Sequence, residues 1–226
     1  MKLTERALKF LCLVGTFGHL TNRDAAKLLL ADMSDATALV TAQNLGKRLA
    51  EDGLVLVKTL PLDRLSKVYV LTQAGSGVLN EQYIEKWLES DAEGAWFADG
   101  YSLSFNDNVT RRPLIQLLHD ITKLTGWLPV GQRGMKRGFL KLNGRGNFDA
   151  ALMDPETGKT RFMVYLAHPS TNTATRHVCK LAQGKWQFVI AAHNDVQLQA
   201  LRRWRELTHS DMHNFVRNEL PPGVLA

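Results

Sequence analysis

Polar side chains that could make paired hydrogen bonds recur along one stripe of the segment Ser34 to Glu51. They are Thr37, Gln43, Asn44 and Lys47, with Val40 among them and Arg48 at the flank. Read at about 100° per residue, they fall opposite a second, apolar stripe of Ala38, Ala42, Leu45 and Leu49. A carboxamide such as Gln43 or Asn44 can pair with an adenine edge, Lys47 can reach a guanine or a phosphate, and Val40 can meet a thymine methyl. The chemistry available to such a helix face is base reading in the major groove of duplex DNA. Arg64 and Lys67, farther along the chain, supply cations for phosphate or minor-groove contact. The plainer alternative is a solvated helix face that contacts protein.

A second set lies between Gly131 and Gly146, where Arg133, Lys136, Arg137, Lys141 and Arg145 are interleaved with glycines and no acid intervenes. Flexible backbone with closely spaced cations suits phosphate contacts, and each neutralised phosphate steepens the salt dependence of binding. A solvated hairpin with a basic face is the competing reading. A phosphate-cradling loop is excluded, because no Gly-Lys-Ser/Thr follows and no strand-to-helix junction brackets the segment.

Other reactive residue types point away from chemistry. His119, His168, His177 and His193 fit no zinc-ligand spacing, and Cys12 and Cys179 lack a CxxC partner, so both cysteines read as reduced packing residues. No nucleophile elbow supports serine-hydrolase chemistry.

The elements that must position the first stripe are legible from caps and periodicity. Thr4 caps a first helix with Leu8, Leu11, Cys12 and Gly15 at helical spacing, ended by Gly18-His19. A second helix starts at Thr21, with Asp24 three residues on and Ala25, Leu28 and Leu29 on one face. The third runs from about Ser34 to Glu51 and stops at Asp52-Gly53. Two strand-like runs, Leu54 to Lys58 and Lys67 to Leu71, flank a turn at Pro61-Leu62-Asp63-Arg64. A fourth helix is expected from Thr72 to about Leu88, and its stripe of Leu79, Tyr83, Ile84, Trp87 and Leu88 suits a core or a homodimer interface.

Residues 90–112 break periodicity and read as a linker. Beyond it come an amphipathic helix from Pro113 to Leu124 and strands near Phe139 to Leu142, Phe148 to Met153 and Thr160 to Leu166. The last two strands flank a turn at Asp154 to Lys159. A helix near Ala174 to Ala182, a strand Trp186 to Ala191 and a helix Val196 to Leu207 complete an α/β order. The expected organisation is a domain over residues 1–90, a linker over 91–112 and an α/β domain over 113–226, α+β overall. Through residue 90 there are 11 Lys and Arg against 10 Asp and Glu, and after it 17 against 12, so most of the net charge of +6 resides in the second part. No run of about 18 apolar residues is present and the start, MKLTERALKF, lacks a signal-peptide core, which together point to the cytoplasm.

Three helices followed by a two-stranded wing resemble winged helix-turn-helix regulators of the MarR and PadR type. The likeness is carried by VYVLTQAG at Val68 to Gly75 and DGLV at Asp52 to Val55. The second domain's element order resembles restriction-endonuclease-like nucleases, whose chemistry uses an Asp at the start of the second strand and an acid and a Lys on the third to hold Mg²⁺ and activate water. Asp149 in NFDAALMD stands where the first Asp belongs, but RFMVYLAHP offers Tyr165 and Ala167 where the rest should be.

Over nearly its whole length the chain resembles the replication-relaxation family, with its MobC-type plasmid mobilisation relaxases, through that domain order, FDAALMDPETGKTRFMVYL, and Lys180 followed by GKWQFVIAAH. The resemblance implies a DNA-binding protein of a plasmid or other mobile element, with double-stranded DNA and other transfer or transcription proteins as partners. Its role would be that of a mobilisation accessory or a transcriptional regulator, with a degenerate catalytic motif and no cofactor. The alternative is a Mg²⁺-dependent nicking relaxase with Asp149 as catalytic and metal-binding residue. Tyr165 as a DNA-attacking nucleophile is the weaker thought, since a strand tyrosine among apolar neighbours is ordinarily core.

Overall fold

The structure is a computed structural model and describes residues 3–60, 63–79, 81–82, 112–132, 149–154, 160–166, 188–191, 195–197, 199–200, 203 and 215–216. The chain is mixed α and β and divides into two compact units: Met1–Thr110 with Val130–Lys141, and Arg111–Pro129 with Leu142–Ala226. The expected linker at 91–112 lies, but for Arg112, outside the described residues, and Val130–Lys141 groups with the first unit instead of the second.

In the first unit, α1 (Glu5–Phe17) is capped by the Thr4 hydroxyl, which accepts from the Ala7 amide at 3.3 Å. Burial is not confined to the expected stripe of Leu8, Leu11, Cys12 and Gly15. Phe10, Leu13, Val14 and Phe17 on the other faces are buried too. A helix apolar all round is a central helix, and α1 meets its neighbours on several sides. These are β1 (Leu20–Thr21), α2 (Asn22–Leu29), β3 (Asp63–Leu71) and α4 (Gln73–Leu79). Thr21 and Asp24 form a reciprocal capping box at the start of α2, with bonds of 3.1 and 3.4 Å. Residues 30–34 then turn the chain into α3 (Asp35–Glu51), which packs on α2.

The end of α3 is a Schellman motif. Gly53 takes φ +72, its amide donates to Ala50 O at 3.0 Å, and the Leu54 amide donates to Leu49 O at 2.9 Å. Leu49 and Leu54, the hydrophobic pair that accompanies this motif, are both buried. The chain enters β2 (Val55–Leu60) and returns as β3, antiparallel, with Val57 opposite Tyr69 and Thr59 opposite Lys67. The register shifts after Thr59 so that Leu60 faces Asp63. The turn is therefore shorter than Pro61 to Arg64, because Asp63 and Arg64 already belong to β3. A third strand, β1, adds to β3 on its other edge, giving the order β1-β3-β2. Two residues carry no periodic signal, which is why this strand escapes a reading of pattern.

The two phrases that carry the winged-helix resemblance meet in space. The Thr72 hydroxyl donates toward the carbonyls of Gly53 and Leu54 at 2.8 and 3.0 Å, and accepts from the Gly75 amide at 2.9 Å. The Thr72 amide also donates to Leu54 O at 3.1 Å. One side chain thus caps α4 and ties it to the end of α3. A Cβ on Gly75 would collide with Leu54 O, so only glycine fits. Leu79, the first residue of the stripe expected to serve a core or a homodimer interface, is buried within its own chain, and residues 83–88 lie outside the described residues.

Past the first unit's contiguous part, α5 (Arg112–Thr125) buries Leu114, Ile115, Leu117, Leu118 and Ile121, as its amphipathic pattern predicts. It ends at Gly126, φ +70. A second sheet has the order β4 (Leu128–Gly131), β5 (Ala150–Met153), β6 (Thr160–Leu166), β7 (Phe188–Ala191), β8 (Phe215–Val216). β5 and β6 are antiparallel, as the expected hairpin requires; β6, β7 and β8 are parallel. β4 was not expected. Its sequence LPVG has a proline and a glycine, tolerable on the edge position it occupies and misleading to a propensity reading. The strand near Phe139 to Leu142, the turn beyond Asp154 and the helix near Ala174 to Ala182 lie outside the described residues, while residues 195–197, 199–200 and 203 are helical.

These junctions give an ordered set of stabilities by thermal or urea unfolding. Gly75→Ala is expected to cost at least about 2 kcal/mol through the carbonyl collision. Thr72→Val should cost about 1 to 3 kcal/mol for its lost hydrogen bonds. Gly53→Ala should cost about 1 to 2 kcal/mol for a side chain at positive φ.

Candidate functional site

The outer face of α3 is built from its inner one. Ala38, Ala42, Gly46 and Leu49 are buried, which leaves Thr37, Val40, Gln43, Asn44, Lys47 and Arg48 exposed. All six residues expected away from the apolar stripe are exposed. The inner face differs in one place: Leu45 is half-buried and Gly46 is fully packed. The cause is Tyr69 of β3, whose ring carbons and hydroxyl occupy the space a Cβ on Gly46 would need. The same ring meets Phe10 of α1 edge-on, with centroids 5.4 Å apart. Burial raises the Tyr69 phenol above its usual range, partly countered by a side-chain hydrogen bond with Asn22. Tyr69 therefore joins α1, α2 and α3 to the hairpin.

At the start of α3 the Ser34 hydroxyl donates to Thr37 Oγ1 at 3.0 Å. At its end Lys47 Nζ lies 3.8 Å from Glu51 Oε1, and both side chains are mostly exposed, at 77% and 65%. An exposed pair of this kind contributes little stability, but it places a carboxylate beside the one lysine of the face. Glu51 went unrecognised in the sequence because it was read as the helix's last residue and not as part of the stripe. Four residues from Lys47, it belongs to the same row.

The hairpin brings further cations. Lys67 is exposed, Arg64 lies on β3 with its side chain outside the described residues, and Lys58 of β2 is an exposed cation that the strand-like run concealed. Arg133, Lys136, Arg137, Lys141 and Arg145 lie outside the described residues, as do His168, His177, His193 and Cys179. Cys12 is fully buried, and burial pushes its thiol far above the ordinary range, so it is inert packing.

Asp149 stands one residue before β5, its amide donating to Val164 O at 2.9 Å. The register pairs Ala150 with Val164, which puts Asp149 at the sheet edge where β6, β7 and β8 end. Ligands of α/β sheets commonly bind outside the carboxyl ends of parallel strands. None of β5, β6 or β7 carries a carboxylate. Among the described residues no three His, Cys, Asp or Glu gather as a metal site. No helix among them is long and apolar enough to cross a membrane.

Comparison of the chain with known protein families, with characterised proteins and with solved structures returns no match. The site thus has to be read from its own geometry.

Tyr69 gives a pH signature. Its neutral form is favoured by burial, so the stability this contributes is complete below about pH 10 and is lost as pH rises through the raised folded value. Between pH 9 and 12 the unfolding free energy of the wild type should fall more steeply than that of Tyr69→Phe. Parallel curves for the two proteins would contradict the placement of the phenol.

Proposed function

We propose that the chain binds duplex DNA, with the first unit acting as a winged helix-turn-helix, α3 as its recognition helix and the β2–β3 hairpin as its wing. The observation that carries this reading is the two-sided character of α3. Its small residues are packed against the core while Thr37, Val40, Gln43, Asn44 and Lys47 stand exposed together on the opposite face. Support comes from Lys58 and Lys67, exposed cations on the hairpin, which suit phosphate contacts. The close approach of Tyr69 to Gly46 holds hairpin and helix in one fixed relation, as a two-part DNA reader requires. The helix pair α2–α3 joined by a short turn fits the same reading.

For the second unit we propose an endonuclease-like fold that serves binding. An antiparallel β5–β6 hairpin followed by a parallel β7 fits the order of strand, strand, crossover helix and strand. The 21 residues between Leu166 and Phe188 are long enough for that crossover. The Mg²⁺ that active relatives of such a fold would use does not fit the described residues. Asp149 has no second carboxylate on the strands beside it, so no metal-dependent step is derived. The basic segment Arg133 to Arg145 adds phosphate-binding capacity by composition. On the resemblance carried by the domain order, FDAALMDPETGKTRFMVYL and GKWQFVIAAH, the role proposed is that of an accessory of plasmid transfer or a transcriptional regulator. Its partners would be other transfer or transcription proteins.

The test is fluorescence anisotropy of the full chain with labelled duplex over a range of salt. Binding should weaken steeply with salt, and Lys47→Ala should lower the log–log slope by about 1. Glu51→Gln should tighten binding, since it frees Lys47 and removes a charge that repels phosphate. Supercoiled plasmid incubated with the protein and Mg²⁺ or Mn²⁺ should stay supercoiled. Nicking that disappears in Asp149→Ala would reinstate the nuclease reading, and no binding to any duplex at low salt would favour a protein-interaction module.

A further inference from the structure

We infer that the N-terminal half of α3 selects thymine, with adenine at neighbouring positions, and that Val40 is the side chain that reads the thymine 5-methyl group. The inference rests on the reading of α3 as the recognition helix and adds the chemistry of its target.

Along the exposed face the charge is unevenly placed. At about 100° per residue, Ala36, Thr37, Gln43 and Asn44 all lie within roughly 60° of Val40, and none carries a charge. Lys47, Arg48 and Glu51 occupy the C-terminal half. Glu51 lies in nearly the same row as Val40 and Lys47, and Asp52 follows it. The partial positive charge at the start of a helix favours approach of phosphates to that end, while at the other end Lys47 already lies 3.8 Å from Glu51. The uncharged stretch of this face, from Ala36 to Asn44, is therefore the part suited to enter the groove; Asp35, the acid of the first turn, lies about 140° from Val40 on another side of the helix.

Its contents specify what it can read. Guanine is recognised chiefly by the paired donors of Arg or Lys, and this half has neither. Gln43 and Asn44 can each donate to N7 of adenine and accept from its N6 amino group. Val40 is the decisive residue. It is 54% exposed, the one large apolar side chain of the described helices of the first unit left so open. Valine is a poor choice there on every local ground: its branched side chain lowers helix propensity, and its methyls face water. A lone exposed apolar residue is ordinary on a protein surface, but Val40 is set between two carboxamides and a hydroxyl on the face that meets the groove. The apolar group a major groove offers to such a side chain is the thymine methyl.

The experiment uses the full chain and duplexes selected by it from a randomised library at low salt. In the tightest selected duplex each thymine is replaced in turn by deoxyuridine, which lacks only the methyl. One replacement should weaken wild-type binding about fourfold, the value of one buried methyl-sized group. Val40→Ala, at an exposed helix position where alanine folds readily, should bind the thymine and deoxyuridine duplexes equally. Lys47→Ala should weaken both and keep their ratio. Selected duplexes built on G·C pairs, or wild-type affinity indifferent to every replacement, would overturn the inference while leaving duplex binding in place. Failure to select any duplex would overturn both.

Discussion

The packing of Tyr69 against Gly46 is the constraint on which the first unit depends. An aromatic ring set where a side chain would otherwise be brings β3 onto the backbone of α3, and the same ring touches Phe10 and bonds with Asn22. Close-packed interiors transmit such placements rigidly. Because β3 is the middle strand of its sheet, the position of α3 is fixed relative to the whole hairpin. Thr72, directly after the same strand, ties the start of α4 to the carbonyls that follow α3. With its inner side locked at both places, α3 has no freedom to choose which residues it exposes.

Much of this was legible in the sequence, for reasons that can be named. The caps at Thr4 and Thr21 and the Gly53 stop each rest on one local hydrogen-bond pattern, and each forms. The outer face of α3 followed from a clear 3.6 period. Gly46 did not, since a glycine carries no hydrophobic signature; its burial comes from a tyrosine 23 positions along the chain. The all-round burial of α1 was hidden for a related reason. Amphipathic spacing names one face, whereas burial of the others depends on which elements arrive there later in the sequence.

The second sheet shows where pattern reading reaches its limit. β6 was foreseen with its bounds, Thr160–Leu166, because a run of β-branched and aromatic residues follows a strong turn. β4 was missed because edge strands tolerate residues that propensity excludes. Site chemistry was half visible in the same way. Asp149 could be placed at the start of a strand from sequence, but its neighbour across the sheet depends on pairing, and its amide bonds to Val164 O just before β5 begins. The contribution of Glu51 to the α3 face was likewise a matter of geometry, apparent once the row through Val40 and Lys47 was defined.

The central claim, that the exposed face of α3 meets duplex DNA, is tested most directly by the side-chain amide NMR signals of Gln43 and Asn44 during titration of the full chain with duplex. Both should shift together with the backbone amides of residues 37–48, saturating at the same DNA concentration. Unchanged Gln43 and Asn44 signals at concentrations where the protein is fully bound would contradict it.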